Sequence, residues 1–195
     1  MKKYLVIGNP IEHSLSPKLH NYWLEQNNID AIYEKKLIEE NSIQNIVSEL
    51  KENKLQGVNV TVPFKKKIIE FVDDLSDEAR KSQSVNTLYK DNDRIIGHNT
   101  DISGFELSLR HIKYNVNEKK ILILGSGGVV SSIVLALKKM KPSKIIISNR
   151  TESNAKKIKE MFNDLEIVRW GEIPDFDLII NATSVGLKKN ENVNL

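Results

Sequence analysis

The sequence predicts an α/β protein, and three observations support this fold class. Helix-like and strand-like patterns alternate along all 195 residues, as they do in α/β proteins. In the second half, the short strands are apolar throughout, as expected when helices cover both faces of a parallel sheet. One of these strands runs directly into a glycine-rich turn and a helix, which is typical of doubly wound sheets.

Short strands and amphipathic helices alternate in the first half. Residues 4–8 (YLVIG) are predicted to form a buried first strand, and Ser16-Pro17 to be the cap and first residue of a helix. We therefore expect an N-terminal α/β domain. Its other predicted elements are strands at 31–38, 57–62, 85–89 and 94–98, and helices at 42–53, 65–70 and 76–82.

The second half is predicted to form a Rossmann-like, doubly wound domain that is incomplete at its C-terminus. A helix near 101–113 would join the two parts, so we predict domains at 1–101 and 102–195. The strand patterns lie within 119–128, 144–150, 165–170 and 176–183, and the helix patterns lie at 129–140 and after Thr151.

Composition argues against several classes of protein. The chain has no cysteine, which excludes disulfides and thiolate chemistry. No apolar run approaches the roughly 20 residues that span a bilayer, and the N-terminus lacks a small-residue cleavage site. The net charge of +3 is modest, and the four histidines lack metal-ligand spacing with acidic residues. We predict a cytoplasmic protein that binds no metal, membrane or nucleic acid.

The turn after the strand at 119–124 has the pattern of a dinucleotide-binding loop. Gly125, Gly127 and Gly128 follow a strand and open a helix, where glycines let the backbone approach a pyrophosphate. Val130 stands where a third glycine is usual. A tight strand-to-helix turn also favours glycine, so this motif alone leaves a purely structural role open.

The end of the next strand favours NADP over NAD. NAD-binding chains usually place Asp or Glu there to bind the ribose 2′-hydroxyl, whereas this chain has Asn149, Arg150 and Thr151. A guanidinium group matches the geometry of a 2′-phosphate. The alternative is that Arg150 is a solvated loop residue and Thr151 only a helix cap.

The stretch GVNVTVPFKKK (57–67) indicates a polar strand face that ends beside positive charge. If Val58, Val60 and Val62 face the core, then the intervening Asn59 and Thr61 share the opposite face. Lysine is a common proton acceptor in catalysis, but the residues alone do not distinguish Lys65 from the two lysines that follow it.

Further polar side chains lie at predicted turns. Asp101 is a carboxylate at a helix start, and Ser14 and Ser16 lie at a strand-to-helix turn. Each of these residues could contribute to a functional site, but each could also serve only as a helix cap. Asn86 lies in a polar SVNTL segment.

Taken together, these stretches resemble the shikimate dehydrogenase family over essentially the whole chain. Seven motifs in the family's order make the resemblance specific. They are GNPIEHSLSPKLHN (8–21), NVTVPFK (59–65), VNTL (85–88), NTDISGF (99–105), GSGGVV (125–130), SNRT (148–151) and NATSVGL (181–187).

The resemblance implies a role for individual residues. It implies that Lys65 and Asp101 are catalytic, and that the substrate is bound by Ser14, Ser16, Asn59, Thr61, Lys65, Asn86 and Asp101. It implies that the cofactor NADP is bound by Gly125, Ser126, Gly127, Gly128, Val129, Asn149, Arg150, Thr151, Thr183 and Ser184, with Asp77 linked to the same region.

The resemblance also implies the reaction, in which shikimate and NADP⁺ interconvert with 3-dehydroshikimate and NADPH. The alternatives are oxidation of quinate, with NAD as a further option, and a non-catalytic ligand sensor on the same fold. A homodimer is consistent with the resemblance. Gln83-Ser84 and Val130-Ser131 depart from the family's pattern. The family continues beyond Leu195, so we expect these residues alone to be weakly active or inactive.

Overall fold

The computed structural model describes residues 1–186 of the chain. The chain divides into two units, Met1–Thr100 and Asp101–Leu195. Each unit has its own sheet and its own hydrophobic core. No helix in the described range combines the length and apolar character that a membrane crossing requires.

The first unit is built on one mixed sheet. Its strands are β1 (Lys2–Gly8), β2 (Ala31–Leu37), β3 (Gly57–Val60), β4 (Asp74–Leu75), β5 (Thr87–Asp91) and β6 (Arg94–His98). Its helices are α1 (Ser16–Gln26), α2 (Ile43–Lys51) and α3 (Asp77–Ser82), with 3₁₀ helices at Glu40–Ser42 and Lys67–Phe71. The six strands lie in the order β2-β1-β3-β5-β6-β4.

Pairing directions bring several strand ends to one edge of this sheet. β1 pairs in parallel with β2 and β3, whereas β5 pairs antiparallel with both β3 and β6. β4 is parallel to β6. The carboxyl ends of β1, β3, β4 and β6 therefore share an edge with the amino end of β5. We call this edge the carboxyl edge of the first sheet.

Two of the three valines in and after β3 face the core, as the sequence predicts. Val58 and Val60 are buried in the core that the sheet forms with α2, which confirms the prediction. Val62 was predicted to face the same core, but it is 58% exposed. The reason is that β3 ends at Val60, so the alternation no longer applies two residues later.

The second unit contains a sheet that is parallel throughout. Its elements are α4 (Asp101–His111), β7 (Lys120–Leu124), α5 (Val130–Lys139), β8 (Lys144–Ser148), α6 (Glu152–Met161), β9 (Glu166–Val168) and β10 (Leu178–Asn181). The strand order is β10-β7-β8-β9, so the order reverses beside β7. This arrangement confirms the predicted doubly wound α/β class.

β7 is apolar because both of its faces are buried. Ile121 and Ile123 contribute to one core cluster and Leu122 to another. Since successive strand residues point to opposite faces, the sheet needs apolar side chains at every position. The continuous apolar run KILIL is the sequence signature of that requirement.

Local details differ from the sequence predictions at two helix starts and one strand. Ser16 is the first residue of α1 rather than its cap, because Leu15 holds the cap position. Thr151 holds the predicted cap position of α6, but its side chain makes no capping hydrogen bond in the described structure. β4 was not predicted, since two residues are too few to show alternation.

Gly8 allows two loops to approach closely at the carboxyl edge. A Cβ atom at Gly8 would lie 2.5 Å from Cγ2 of Thr61 and 3.0 Å from the carbonyl oxygen of Val62. The same carbonyl accepts a hydrogen bond from the Asn9 amide at 3.0 Å. Any larger residue at position 8 must therefore displace the chain that follows β3.

We predict that Gly8→Ala lowers the free energy of unfolding of the first unit by about 1–3 kcal/mol, the usual cost of overpacking. Gly104→Ala is the matched control, because a Cβ on this exposed helical glycine meets nothing within 4 Å. Alanine should stabilise α4 by about 0.5–1 kcal/mol. Urea unfolding measures both variants. A Gly8→Ala variant as stable as the wild type would contradict the packing described above.

Candidate active site

Polar side chains of the first unit gather at its carboxyl edge. Thr61 and Lys65 follow β3, and Asn86 directly precedes β5. Ser14 lies in the loop after β1, and Ser16 begins α1. The structure thus brings these five predicted substrate residues to one edge of one sheet, although they are far apart in sequence.

Backbone hydrogen bonds join the loops that carry these side chains. The Thr61 amide donates to the Ile7 carbonyl at 2.9 Å, which ties the end of β3 to β1. The Val85 amide donates to the Lys65 carbonyl at 2.8 Å. Lys65 is therefore held by its backbone next to the segment that carries Asn86.

The Asn86 side chain is oriented by hydrogen bonds with Thr100 and with its neighbour Thr87. Its Nδ2 donates to Oγ1 of Thr100 at 2.8 Å, and its Oδ1 accepts from the Thr100 amide at 2.9 Å and from Oγ1 of Thr87 at 3.1 Å. Thr100 immediately precedes Asp101, the first residue of α4. The amide group of Asn86 thereby fixes the chain that leads to the predicted catalytic carboxylate.

Asn59 links three strands through its side chain. Its Nδ2 donates to the Asn86 carbonyl at 3.2 Å and to Oγ1 of Thr87 at 3.0 Å, while its Oδ1 accepts from the Tyr33 hydroxyl at 2.6 Å. The sequence analysis did not identify Tyr33, because a tyrosine in an amphipathic strand is usual core material. Its buried hydroxyl is the only feature that distinguishes it, and burial cannot be deduced from one sequence.

Asn99 is a second polar residue that the sequence analysis missed. It is 1% exposed, and its Nδ2 donates to Oγ of Ser82 at 3.1 Å and to the Ser84 carbonyl at 2.8 Å. Between these partners, Gln83 ends α3 with a left-handed backbone (φ 49°). Glycine favours that conformation, so Gln83 holds a strained backbone at this turn.

The glycine turn of the second unit lies where the strand order reverses. Gly125 has φ 105°, and a Cβ there would lie 2.7 Å from the Ala182 carbonyl oxygen. The Gly125 amide donates to the Ser148 carbonyl at 2.8 Å. α5 starts at Val130, and its N-terminus has no side-chain cap in the described structure. The positive end of the helix dipole thus faces the turn formed by residues 125–129.

The residues after β8 present a positive charge without a carboxylate at the strand end. Arg150 and Thr151 are exposed, and Nδ2 of Asn149 donates to the Thr151 carbonyl at 2.7 Å. Glu152 comes next and pairs with Lys156 at 2.8 Å, a contact that holds the pKa of Glu152 below its usual range. Glu152 thus has a cationic partner within α6.

The remaining predicted residues lie in separate places. Thr183 follows β10, where its Oγ1 donates to Oδ1 of Asn181 at 2.7 Å, and Ser184 is next in the loop. Asp77 begins α3 in the first unit. Leu187, the last residue of the NATSVGL motif, lies outside the described residues. Within residues 1–186, no three acidic or histidine side chains are grouped so that they could hold a metal ion.

These features define a class of protein. A lysine, a threonine and an asparagine meet at the edge of one α/β unit, and a second unit carries a glycine turn at the switch point of a doubly wound sheet. Switch points of this kind bind nucleotides in α/β enzymes. The fold thus belongs to the class of nucleotide-binding α/β proteins.

Comparison with known proteins identifies the family. The profile described as "Shikimate dehydrogenase substrate binding domain" matches residues 6–88, and "Shikimate / quinate 5-dehydrogenase" matches residues 106–189. A shikimate dehydrogenase (NADP(+)) from Pelagibacter ubique is 57% identical over 100% of this chain and 73% of its own length. The chain belongs to the shikimate dehydrogenase family.

Solved structures agree with this assignment. Shikimate dehydrogenase from Aquifex aeolicus has a TM-score of 0.90 and 36% identity, over 99% of this chain and 73% of the other. Shikimate 5-dehydrogenase from Thermus thermophilus, solved in complex with NADP(H) and shikimate, has a TM-score of 0.87 and 31% identity, over 96% and 70%.

Proposed function

We propose that this protein catalyses the reversible reduction of 3-dehydroshikimate to shikimate with NADPH, a step toward chorismate and the aromatic amino acids. The observation that carries the proposal is the gathering of Thr61, Lys65 and Asn86 at the carboxyl edge, in a chain whose relatives are shikimate dehydrogenases. Their names favour this reaction over a sensor role and over quinate oxidation with NAD.

The two units divide the work in this proposal. Residues 1–101 bind the substrate, with Ser14, Ser16 and Thr61 on its carboxylate. Hydroxyl groups of the ring are bound by Asn86 and Asp101, with Asn59 behind them. Residues 102–195 bind NADP. A site built from amide and hydroxyl groups discriminates against acids that lack the matching hydroxyls, because its polar groups would then be left unpaired.

The second unit fits a dinucleotide in two respects. The backbone at Gly127 is accessible, since a Cβ there would meet its nearest neighbour, the Ala182 carbonyl oxygen, at 3.8 Å. Residues 125–129 would cradle the pyrophosphate at the start of α5. Arg150, with Asn149 and Thr151, would pair with the 2′-phosphate in charge-assisted hydrogen bonds. We place Thr183 and Ser184 beside the nicotinamide and keep Asp77 as a further contact.

The chemistry requires that a proton and a hydride leave one carbinol group. The residues of the second unit would hold NADP⁺, which would supply the hydride acceptor. Lys65 takes the hydroxyl proton as the carbonyl forms, and it returns that proton in the reductive direction. Asp101 orients the amine and the hydroxyl. General acid–base help of this kind contributes roughly 10²–10⁴-fold to rate.

We predict that Lys65→Ala lowers kcat by about 10²–10⁴-fold and changes KM for shikimate little, because a proton-transfer group acts mainly in the transition state. NADPH absorbance with shikimate and NADP⁺ measures both constants in the full-length protein. Lys66→Ala is the matched control and should retain the wild-type rate. A wild-type protein that forms no NADPH from shikimate would refute the proposed function. A loss of kcat in Lys66→Ala rather than in Lys65→Ala would assign the catalytic role to Lys66.

The two glycines of the turn should respond differently to alanine. Gly125→Ala should destabilise the second unit, since its backbone is left-handed and the added Cβ meets a carbonyl oxygen at 2.7 Å. Gly127→Ala should unfold like the wild type but raise KM for NADP⁺ about tenfold, roughly 1.4 kcal/mol of lost binding. Urea unfolding and cofactor titration separate these outcomes. An unchanged KM for NADP⁺ in Gly127→Ala would refute the proposal that this turn binds the pyrophosphate.

Arg150→Ala should raise KM for NADP⁺ by roughly 10–100-fold and leave KM for NAD⁺ almost unchanged, because a hydrogen bond to a charged group contributes about 1.5–3 kcal/mol. Arg110→Ala, which removes an exposed arginine of α4, should change neither constant. The measurement is a pair of cofactor titrations for each variant. Equal losses with NADP⁺ and NAD⁺ would refute the 2′-phosphate contact.

We also propose a cytoplasmic location and a homodimer. Both follow from the family resemblance and from the biosynthetic role of the relatives rather than from contacts within the chain. Sedimentation of the full-length protein at several concentrations measures the oligomeric state.

A further inference from the structure

The hydroxyl of Tyr33 contacts one of the residues that are proposed to bind substrate. Tyr33 is 4% exposed, and its hydroxyl donates to Oδ1 of Asn59 at 2.6 Å. This hydroxyl thus joins β2 to Asn59 in β3.

The contacts of Tyr33 continue to a second substrate residue. With its Oδ1 turned toward Tyr33, Asn59 directs its Nδ2 to the Asn86 carbonyl and to Oγ1 of Thr87. Thr87 in turn donates to Oδ1 of Asn86. A series of hydrogen bonds therefore runs from Tyr33 in β2 through Asn59 in β3 to Asn86, the residue before β5.

Tyr33 is itself held firmly by α1. The Tyr33 amide donates to Oδ1 of Asn21 at 2.9 Å, and Nδ2 of Asn21 donates to the Tyr33 carbonyl at 2.8 Å. The His20 ring stacks on the Tyr33 ring, with centroids 4.2 Å apart and an angle of 6° between the planes. A side chain fixed by its backbone and its ring can fix its hydrogen-bond partners in turn.

Burial keeps the Tyr33 hydroxyl in the form that these contacts need. It raises the pKa of Tyr33 well above its usual range. The hydroxyl therefore remains protonated and able to donate to Asn59 at any pH at which the enzyme would work. Burial also lowers the pKa of the stacked His20, which favours its neutral ring.

We propose that Tyr33 is a positioning residue for the substrate, because its hydroxyl holds Asn59 in the orientation that faces Asn86 and Thr87. The inference rests on the proposed function, since it concerns the same site. Tyr33 acts through Asn59 and has no direct contact with substrate. Without its hydroxyl, Oδ1 of Asn59 loses a buried donor, and the Asn59 side chain becomes free to rotate away from Asn86.

Tyr33→Phe in the full-length protein tests the proposal, since it removes one oxygen atom and keeps the stacked ring. We expect KM for shikimate to rise about tenfold, kcat to change less than about threefold and KM for NADP⁺ to stay unchanged. Tyr89→Phe, which alters a half-exposed tyrosine of β5, is the matched control and should leave all three constants unchanged. A wild-type KM for shikimate in a folded Tyr33→Phe variant would overturn the proposal.

A double-mutant cycle distinguishes positioning from general loosening. Asn59→Ala and Tyr33→Phe should raise KM for shikimate less together than the product of their separate effects, because both act through one hydrogen bond. Independent effects would overturn the proposal. If Tyr33→Phe does not fold, Asn21→Ala replaces it as the test. This variant removes the two side-chain hydrogen bonds to the Tyr33 backbone, and it should still raise KM for shikimate. An unchanged KM would overturn the proposal.

The proposed function and the role of Tyr33 are tested by different results. A wild-type protein that forms no NADPH from shikimate refutes the dehydrogenase reaction whatever Tyr33→Phe does. Calorimetric titration with shikimate then measures positioning without turnover. Weaker binding to Tyr33→Phe than to wild type would support the role of Tyr33, whereas equal binding, or none to either protein, would refute it.

Discussion

The parallel pairing of β1 with β3 is the constraint on which the proposed substrate site depends. It places the ends of both strands at one edge of the sheet, so the loops that carry Ser14 and Thr61 leave the sheet side by side. Gly8 lets those loops come into contact, and the antiparallel β5 returns Asn86 to the same edge. The proposed site is thus a product of strand direction, with polar residues placed where core packing ends.

In the proposed function, the two units bind different ligands through different groups. The first uses side-chain hydroxyl and amide groups held in a hydrogen-bonded series, which suits a small polyhydroxylated acid. The second uses backbone amides at an uncapped helix start together with Arg150, which suits a phosphorylated cofactor. In the first unit, orientation comes from side chains such as Tyr33 behind the site, whereas in the second it comes from the backbone of the turn.

Much of this could be predicted from the sequence, because the decisive patterns were local. Apolar runs gave the parallel strands of the second unit, and alternation gave the burial of Val58 and Val60. Val62 was misjudged because alternation does not show where a strand ends. Ser16 was misjudged as a cap because sequence patterns place a helix start only to within a residue or two, and α1 begins at Ser16 itself, with Leu15 at the cap position. Tyr33 and Asn99 were missed because only tertiary contacts reveal a buried polar group that orients others.

The most direct test of this account is hydrogen–deuterium exchange of the full-length protein with each ligand separately. The account predicts that shikimate slows exchange in the segments at the carboxyl edge of the first sheet, residues 9–16, 61–66 and 85–88. It predicts that NADP⁺ slows exchange at residues 125–130 and 149–151. Protection by shikimate at the opposite edge of that sheet, or at the glycine turn alone, would contradict it.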